Sequence, residues 1–91
     1  MISAEVVFRD RYGLHPRAAM RIQQAAGAFR SRVSVQSLEP GGRETDARSM
    51  ISLVSAGIRA GDRIRVLAEG DDEDTALAAV RQLVEAGVCH P

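Results

Sequence analysis

Ile2-Ser3-Ala4-Glu5-Val6-Val7-Phe8 and the fourteen-residue run from Pro16 to Phe29 differ in one property, and that difference decides the fold. In the first stretch Ile2, Ala4, Val6 and Phe8 alternate with Ser3 and Glu5, the period of a half-buried strand. In the second, Ala18, Ile22, Ala25, Ala26 and Phe29 return at helical spacing, which marks an amphipathic helix. Gly13 breaks the strand before the helix begins, and Gly27 weakens the helix's last turn.

The same two periods alternate through the rest of the chain. Val33 and Val35 centre a second strand, closed by the turn signal Pro40-Gly41-Gly42. Arg43 to Asp46 is short and polar and reads as an edge strand. Met50, Leu53 and Val54 give a compact helix from about Ser49 to Ala56, stopped by Gly57. After a turn at Gly61-Asp62, Ile64, Val66 and Ala68 point inward while Arg63 and Arg65 point outward. The last helix runs from about Asp72 to Ala86, with Ala76, Leu77, Val80, Leu83 and Val84 as its buried stripe. An acidic first turn suits its dipole, and Gly87 ends it. The order β-α-β-β-α-β-α predicts an α+β two-layer sandwich, one sheet carrying all the helices on one face while the other meets water.

Ninety-one residues make one domain, 1–91, with a tail over 88–91 expected to fray. Hydrophobic residues are 45% of the chain, but Phe8, Phe29 and Tyr12 are its only aromatics, so the core must be aliphatic. Twelve basic residues cancel twelve acidic ones. That balance and the lack of stacking aromatics count against a small nucleic-acid binder. All the basic residues are arginine, which reads mainly as a coding bias. One cysteine, Cys89, excludes an intrachain disulfide. With no run of transmembrane length and no leader-like N-terminus, the expectation is a cytoplasmic protein without membrane insertion. Cys89 and His90 are too few for a metal centre, so no metal and no cofactor is expected.

Gly13-Leu14-His15-Pro16-Arg17 carries the chemistry. A histidine stands directly before a helix whose first residue is proline, the favoured opening residue. Free amides and the partial positive charge at a helix start attract anions, phosphate above all. Arg17 adds a permanent charge with planar donor geometry. An imidazole nitrogen is nucleophilic near neutral pH, since the unperturbed ring titrates near about 6.5. The three together suit a transient phosphohistidine. An isolated histidine at a helix start is more often plain surface, so further features must decide.

Those features are Thr45-Asp46-Ala47-Arg48-Ser49-Met50-Ile51-Ser52-Leu53-Val54-Ser55-Ala56-Gly57-Ile58 and Ala68-x-Gly70-x-Asp72-Glu73. With Gly13-Leu14-His15-x-Arg17-Ala18-Ala19 they resemble HPr, the histidine-containing phosphocarrier of the bacterial sugar phosphotransferase system. The resemblance runs over nearly the whole chain in one order, with a hairpin at Glu39 to Arg43 about three residues longer than the family's. It implies an open-faced β-sandwich with a four-stranded antiparallel sheet and three helices, and a carrier rather than a stand-alone enzyme. It implies that His15 accepts phosphate from Enzyme I, charged by phosphoenolpyruvate, and donates it to EIIA domains of sugar transporters. Arg17 then faces the phosphate. Ser49 stands where a dedicated HPr kinase acts in some bacteria, and it is equally a plain helix N-cap.

By position, Met20, Met50, Ile51 and Val54 would dock onto Enzyme I and EIIA, ringed by Arg17, Arg21 and Arg48. The alternative for Met50 and Val54 is a place in the core. One departure stands out: the family usually reads His-Ala-Arg-Pro, and this chain reads His15-Pro16-Arg17-Ala18. Pro16 has no N–H, so one donor beside His15 is missing and the transfer potential is retuned. Two further readings keep the fold: a carrier in a nitrogen-related or other specialised phosphotransfer chain, and a non-transferring adaptor acting through Ser49 and the apolar patch. A shuttle that shows one face to several partners is expected to be a monomer.

Overall fold

The computed structural model describes residues 1–87. Four strands, β1 (Ile2–Val7), β2 (Arg32–Ser37), β3 (Glu44–Asp46) and β4 (Arg63–Glu69), form one antiparallel sheet in the order β1-β4-β2-β3. Three helices, α1 (Pro16–Gly27), α2 (Met50–Ser55) and α3 (Glu73–Glu85), complete the predicted order. The alternation read along each strand becomes rows across the sheet. Ala4 pairs with Val66, Val66 with Val35, and Val35 with Thr45. Ile2 pairs with Ala68 and Val6 with Ile64 in the same phase, so the apolar residues share one face.

That face is closed by Ala18, Ala19, Ile22 and Ala26 of α1, Leu53 of α2, and Ala76, Val80 and Val84 of α3, all fully buried. α3 lies over β1 and β4 and against α1, while α2 packs on α1 and on the edge strand β3. Phe8 fills the junction with no exposed surface, and its main chain bonds Gly61 and Asp62 just beyond β1's last residue. α1 stops at Gly27, two residues short of the expected Phe29, which is half-buried against the core. The tail, with Cys89 and His90, lies outside the described residues.

Asp72 links two parts of the chain that are distant in sequence. It sits at the N-cap of α3, yet its side chain does not cap that helix. Its carboxylate instead accepts hydrogen bonds from the amides of Arg30 (3.0 Å) and Ser31 (2.9 Å) and from the Ser31 hydroxyl. This clasp joins the end of α1 to the start of α3. Gly70 permits it, because a Cβ there would lie 2.7 Å from the Ser31 Cα. The Ser31 hydroxyl, followed by the Arg30 amide, holds the Asp72 carboxyl below its usual value of 3.8. A depressed folded-state value means the charged form favours the fold. Its contribution is therefore complete above the unfolded carboxyl's titration, near about pH 4, and is lost as pH falls through the lowered native value. Asp72→Asn should flatten the part of the acid unfolding curve below pH 4, as followed by circular dichroism. A wild-type curve and a variant curve of equal slope there would contradict the clasp.

Candidate phosphoryl-accepting site

The loop before α1 is pinned before the histidine is reached. Asp10 is buried, its carbonyl accepts the Gly13 amide (3.0 Å), and its Oδ1 accepts the Tyr12 amide (3.0 Å). Gly13 takes φ +74°, and a side chain there would press on the Ile58 carbonyl. The next amide, Leu14, donates to that same carbonyl (3.0 Å), and the Leu14 side chain enters the core. The chain therefore arrives at His15 from a fixed direction.

His15 is the N-cap of α1, extended at φ −89° and ψ 173°, with Pro16 as the first helical residue. Proline's restriction of its predecessor to extended backbone accounts for this directly. The His15 amide donates to the Gly13 carbonyl (3.0 Å), and its carbonyl accepts from Ala19 (2.9 Å). The ring does not cap the helix. It is 28% exposed, and its two nitrogens are in different surroundings. Nε2 is buried, has no hydrogen-bond partner among the described residues, and faces Asp10 Oδ2 at 3.7 Å. Tyr12 meets the ring edge-on, with centroids 6.3 Å apart. The exposed part of the ring opens on a cleft of about 580 Å³ whose walls include Tyr12, Ile58, Ala60 and two cations, Arg11 and Arg59.

At a helix start the first amides have no intrahelical acceptor. Pro16 lacks one and Ala18 is fully buried, so among the first-turn positions Arg17 is the exposed residue that has an N–H. Arg17's guanidinium makes no hydrogen bond or ion pair among the described residues. An anion held beside His15 would meet it without competition from an internal carboxylate.

The predicted contact residues divide. Met20 (42%), Ile51 (81%) and Val54 (37%) are exposed on the neighbouring helices α1 and α2. Val54 is thus not core: in the short α2 Leu53 alone is fully buried, and its neighbour turns outward. Met50 is half-buried against the core. Arg48 is exposed but not idle; its guanidinium donates to the carbonyls of Phe29 (2.8 Å) and Ser31 (3.4 Å), and its own carbonyl accepts from Gln23 (2.9 Å). It ties α2 to the segment that follows α1 while remaining at the surface. Ser49 caps α2, its hydroxyl accepting the Ser52 amide (3.2 Å) and donating to the Ser52 hydroxyl (2.9 Å). Asp10, Tyr12 and the loop from Gly57 to Ala60 complete the site and were not singled out by sequence. The one available signal was an Asp two residues before Tyr12 and three before Gly13, the spacing of a side-chain-closed turn.

The family model described as the PTS HPr component phosphorylation site matches residues 2–86. The chain belongs to the HPr family. Among HPr relatives, the phosphocarrier protein HPr of Mycoplasma pneumoniae is 39% identical over 85 residues, covering 93% of this chain and 94% of that one. The multiphosphoryl transfer protein of Salmonella typhimurium is 33% identical over 88 residues. The chain spans 23% of that protein's length, so there an HPr-like segment sits in a larger polypeptide. In three dimensions the crystal structure of HPr-C-His from Thermoanaerobacter tengcongensis superimposes with a TM-score of 0.84 at 31% identity, covering 94% of this chain and 93% of that one. The open-faced α+β sandwich expected of an HPr is the one observed. No helix among the described residues is long and apolar enough to cross a membrane.

Proposed function

We propose that this chain is a single-domain cytoplasmic phosphocarrier in which His15 takes a phosphoryl group from Enzyme I, itself charged by phosphoenolpyruvate, and passes it to an EIIA domain. One observation carries the reading: the ring that opens the helix has Nε2 buried and the rest of its edge open to a basic cleft. Nδ1 is then the nitrogen a phosphorus atom can reach. The Arg17 amide and its unpaired guanidinium neutralise charge on the phosphoryl oxygens. Met20, Ile51 and Val54, with part of Met50, offer partners a small apolar patch beside the phosphoryl group, suited to contacts that must also break. Arg48 serves that face by holding α2 in place.

A second reading is favoured by Pro16 alone: a regulatory protein of a specialised phosphotransfer chain, or an adaptor in which Ser49 and the patch engage a regulator. For Ser49, an HPr kinase would have to draw its hydroxyl out of the α2 cap. The test is incubation with phosphoenolpyruvate and Enzyme I, followed by mass mapping of acid-labile phosphate and chase with an EIIA domain. Label on His15 that chases into EIIA supports the carrier. Label on another residue, or none, overturns it.

A further inference from the structure

We propose that Asp10 is a positioning residue for His15: its buried carboxylate holds the proton on Nε2, so that Nδ1 keeps the free electron pair that attacks phosphorus. This inference rests on His15 being the phosphoryl acceptor and goes beyond that reading by assigning the group that sets the ring's tautomer.

A neutral imidazole has one N–H, and either nitrogen can carry it. If the proton sits on Nδ1, the reachable nitrogen has no lone pair and cannot react. Nε2 is buried without a hydrogen-bond partner, and an acceptor-only carboxylate oxygen stands 3.7 Å away. That is longer than a hydrogen bond, and such contacts commonly shorten when the ring gains charge. The other oxygen of Asp10 is already spent on the Tyr12 amide, which fixes the carboxylate's orientation. Among the described residues the other groups lining the ring's cleft carry no acceptor charge: Tyr12 lies edge-on, Arg11 and Arg59 line the cleft, and Arg17 follows on the helix. Asp10 therefore biases the ring toward Nε2–H.

The same contact acts on the charged state. Nδ1 attacks the phosphorus of a phosphorylated partner protein; a P–N bond forms to His15 while the bond to the donor breaks, its electron pair leaving with the donor. The ring keeps its Nε2 proton and becomes a phosphoimidazolium cation, paired with Asp10. On donation the P–Nδ1 electrons return to the ring, which is again neutral with Nε2–H. A protonated ring is the better leaving group, so a carboxylate at Nε2 favours onward transfer.

Asp10→Asn separates this role from the turn. Asn Oδ1 can still accept the Tyr12 amide, which presents the side-chain NH2 to Nε2. An NH2 donates, so it favours the wrong tautomer, as in serine hydrolase triads whose aspartate is changed to asparagine. In the unphosphorylated protein, long-range proton–nitrogen spectra of His15, distinguished from His90 by a His90→Gln variant, should show mainly Nε2–H in the wild type and a shift toward Nδ1–H in Asp10→Asn. Phosphoryl acceptance from Enzyme I should slow by roughly tenfold or more, the usual weight of a hydrogen bond to a charged group. Asp10→Glu should recover part of the rate. An unchanged tautomer with an unchanged rate in Asp10→Asn would overturn the inference. The tautomer is read without any phosphoryl donor, so a wild type that fails to label would sink the carrier reading separately.

Discussion

His15→Ala is expected to lose all acid-labile phosphate while keeping the native fold. The loss follows because no second imidazole lines the described cleft: its other residues are Arg11, Tyr12, Gly13, Leu14, Gly57, Ile58, Arg59 and Ala60, and a phosphate ester on the Tyr12 hydroxyl would be stable to acid. The fold should survive because the ring's contacts are few, the edge of Tyr12 and the Asp10 carboxylate at 3.7 Å. The imidazole does not cap α1, its buried nitrogen has no hydrogen bond, and the ring is partly exposed. What the position contributes to α1 is main chain, the bonds to Gly13 and Ala19, and alanine keeps both. A stability change within about 1 kcal/mol is expected, in line with sites outside the core. Thermal unfolding and labelling measured on the same sample check both halves. Label retained by a folded variant would assign the acceptor elsewhere.

Pro16→Ala is expected to move the phosphoryl-transfer equilibrium toward this protein. The substitution restores an N–H at the first helical position, where proline has none. That amide sits next to His15 at the positively polarised helix start, so it adds a donor to the one Arg17 supplies. A hydrogen bond to a charged oxygen contributes about 1.5–3 kcal/mol. The equilibrium constant for accepting phosphate from Enzyme I should rise by roughly ten- to a hundredfold, since about 1.4 kcal/mol is a factor of ten. Donation to EIIA becomes correspondingly harder. The fold loses a little, because proline's fixed φ suits the helix start and its removal frees the unfolded chain by about 0.4–1 kcal/mol. Quantifying phospho and dephospho forms at equilibrium tests the first effect, and thermal unfolding the second. An unmoved equilibrium would mean that the sixteenth amide does not face the phosphoryl group, and Pro16 would then be only a helix opener.

The two effects have different origins, and this bears on how the chain can work as a shuttle. A carrier must neither hold its cargo too tightly nor accept it too weakly. Pro16 loosens the grip on the phosphoryl oxygens, whereas Asp10 acts on the far side of the ring, where it leaves the oxygens untouched. A weaker amide cradle with a charged partner behind the ring favours fast onward donation.

Much of this molecule is written in local pattern. Ile2, Val6, Ile64 and Val66 announce strands because a period of two places them on one face, and that face is buried. Ala18, Ile22, Ala76, Val80 and Val84 announce helices for the same reason at another period. Pro16 and Ser49 mark helix starts because the missing N–H and the short hydroxyl each answer the unpaired amides of a first turn. His15 and Arg17 were legible because neighbours in sequence at a helix end remain neighbours in space. Tertiary structure decided the rest. Period shows which side of an element is buried but not what covers it, so the order β1-β4-β2-β3 and the outward turn of Val54 were not readable. Nor were the contacts of Asp10 with His15, Asp72 with Ser31 and Arg48 with Phe29. Each joins polar groups from separate turns or helix ends, where direction is set by the whole chain's packing and no repeat in the sequence records it.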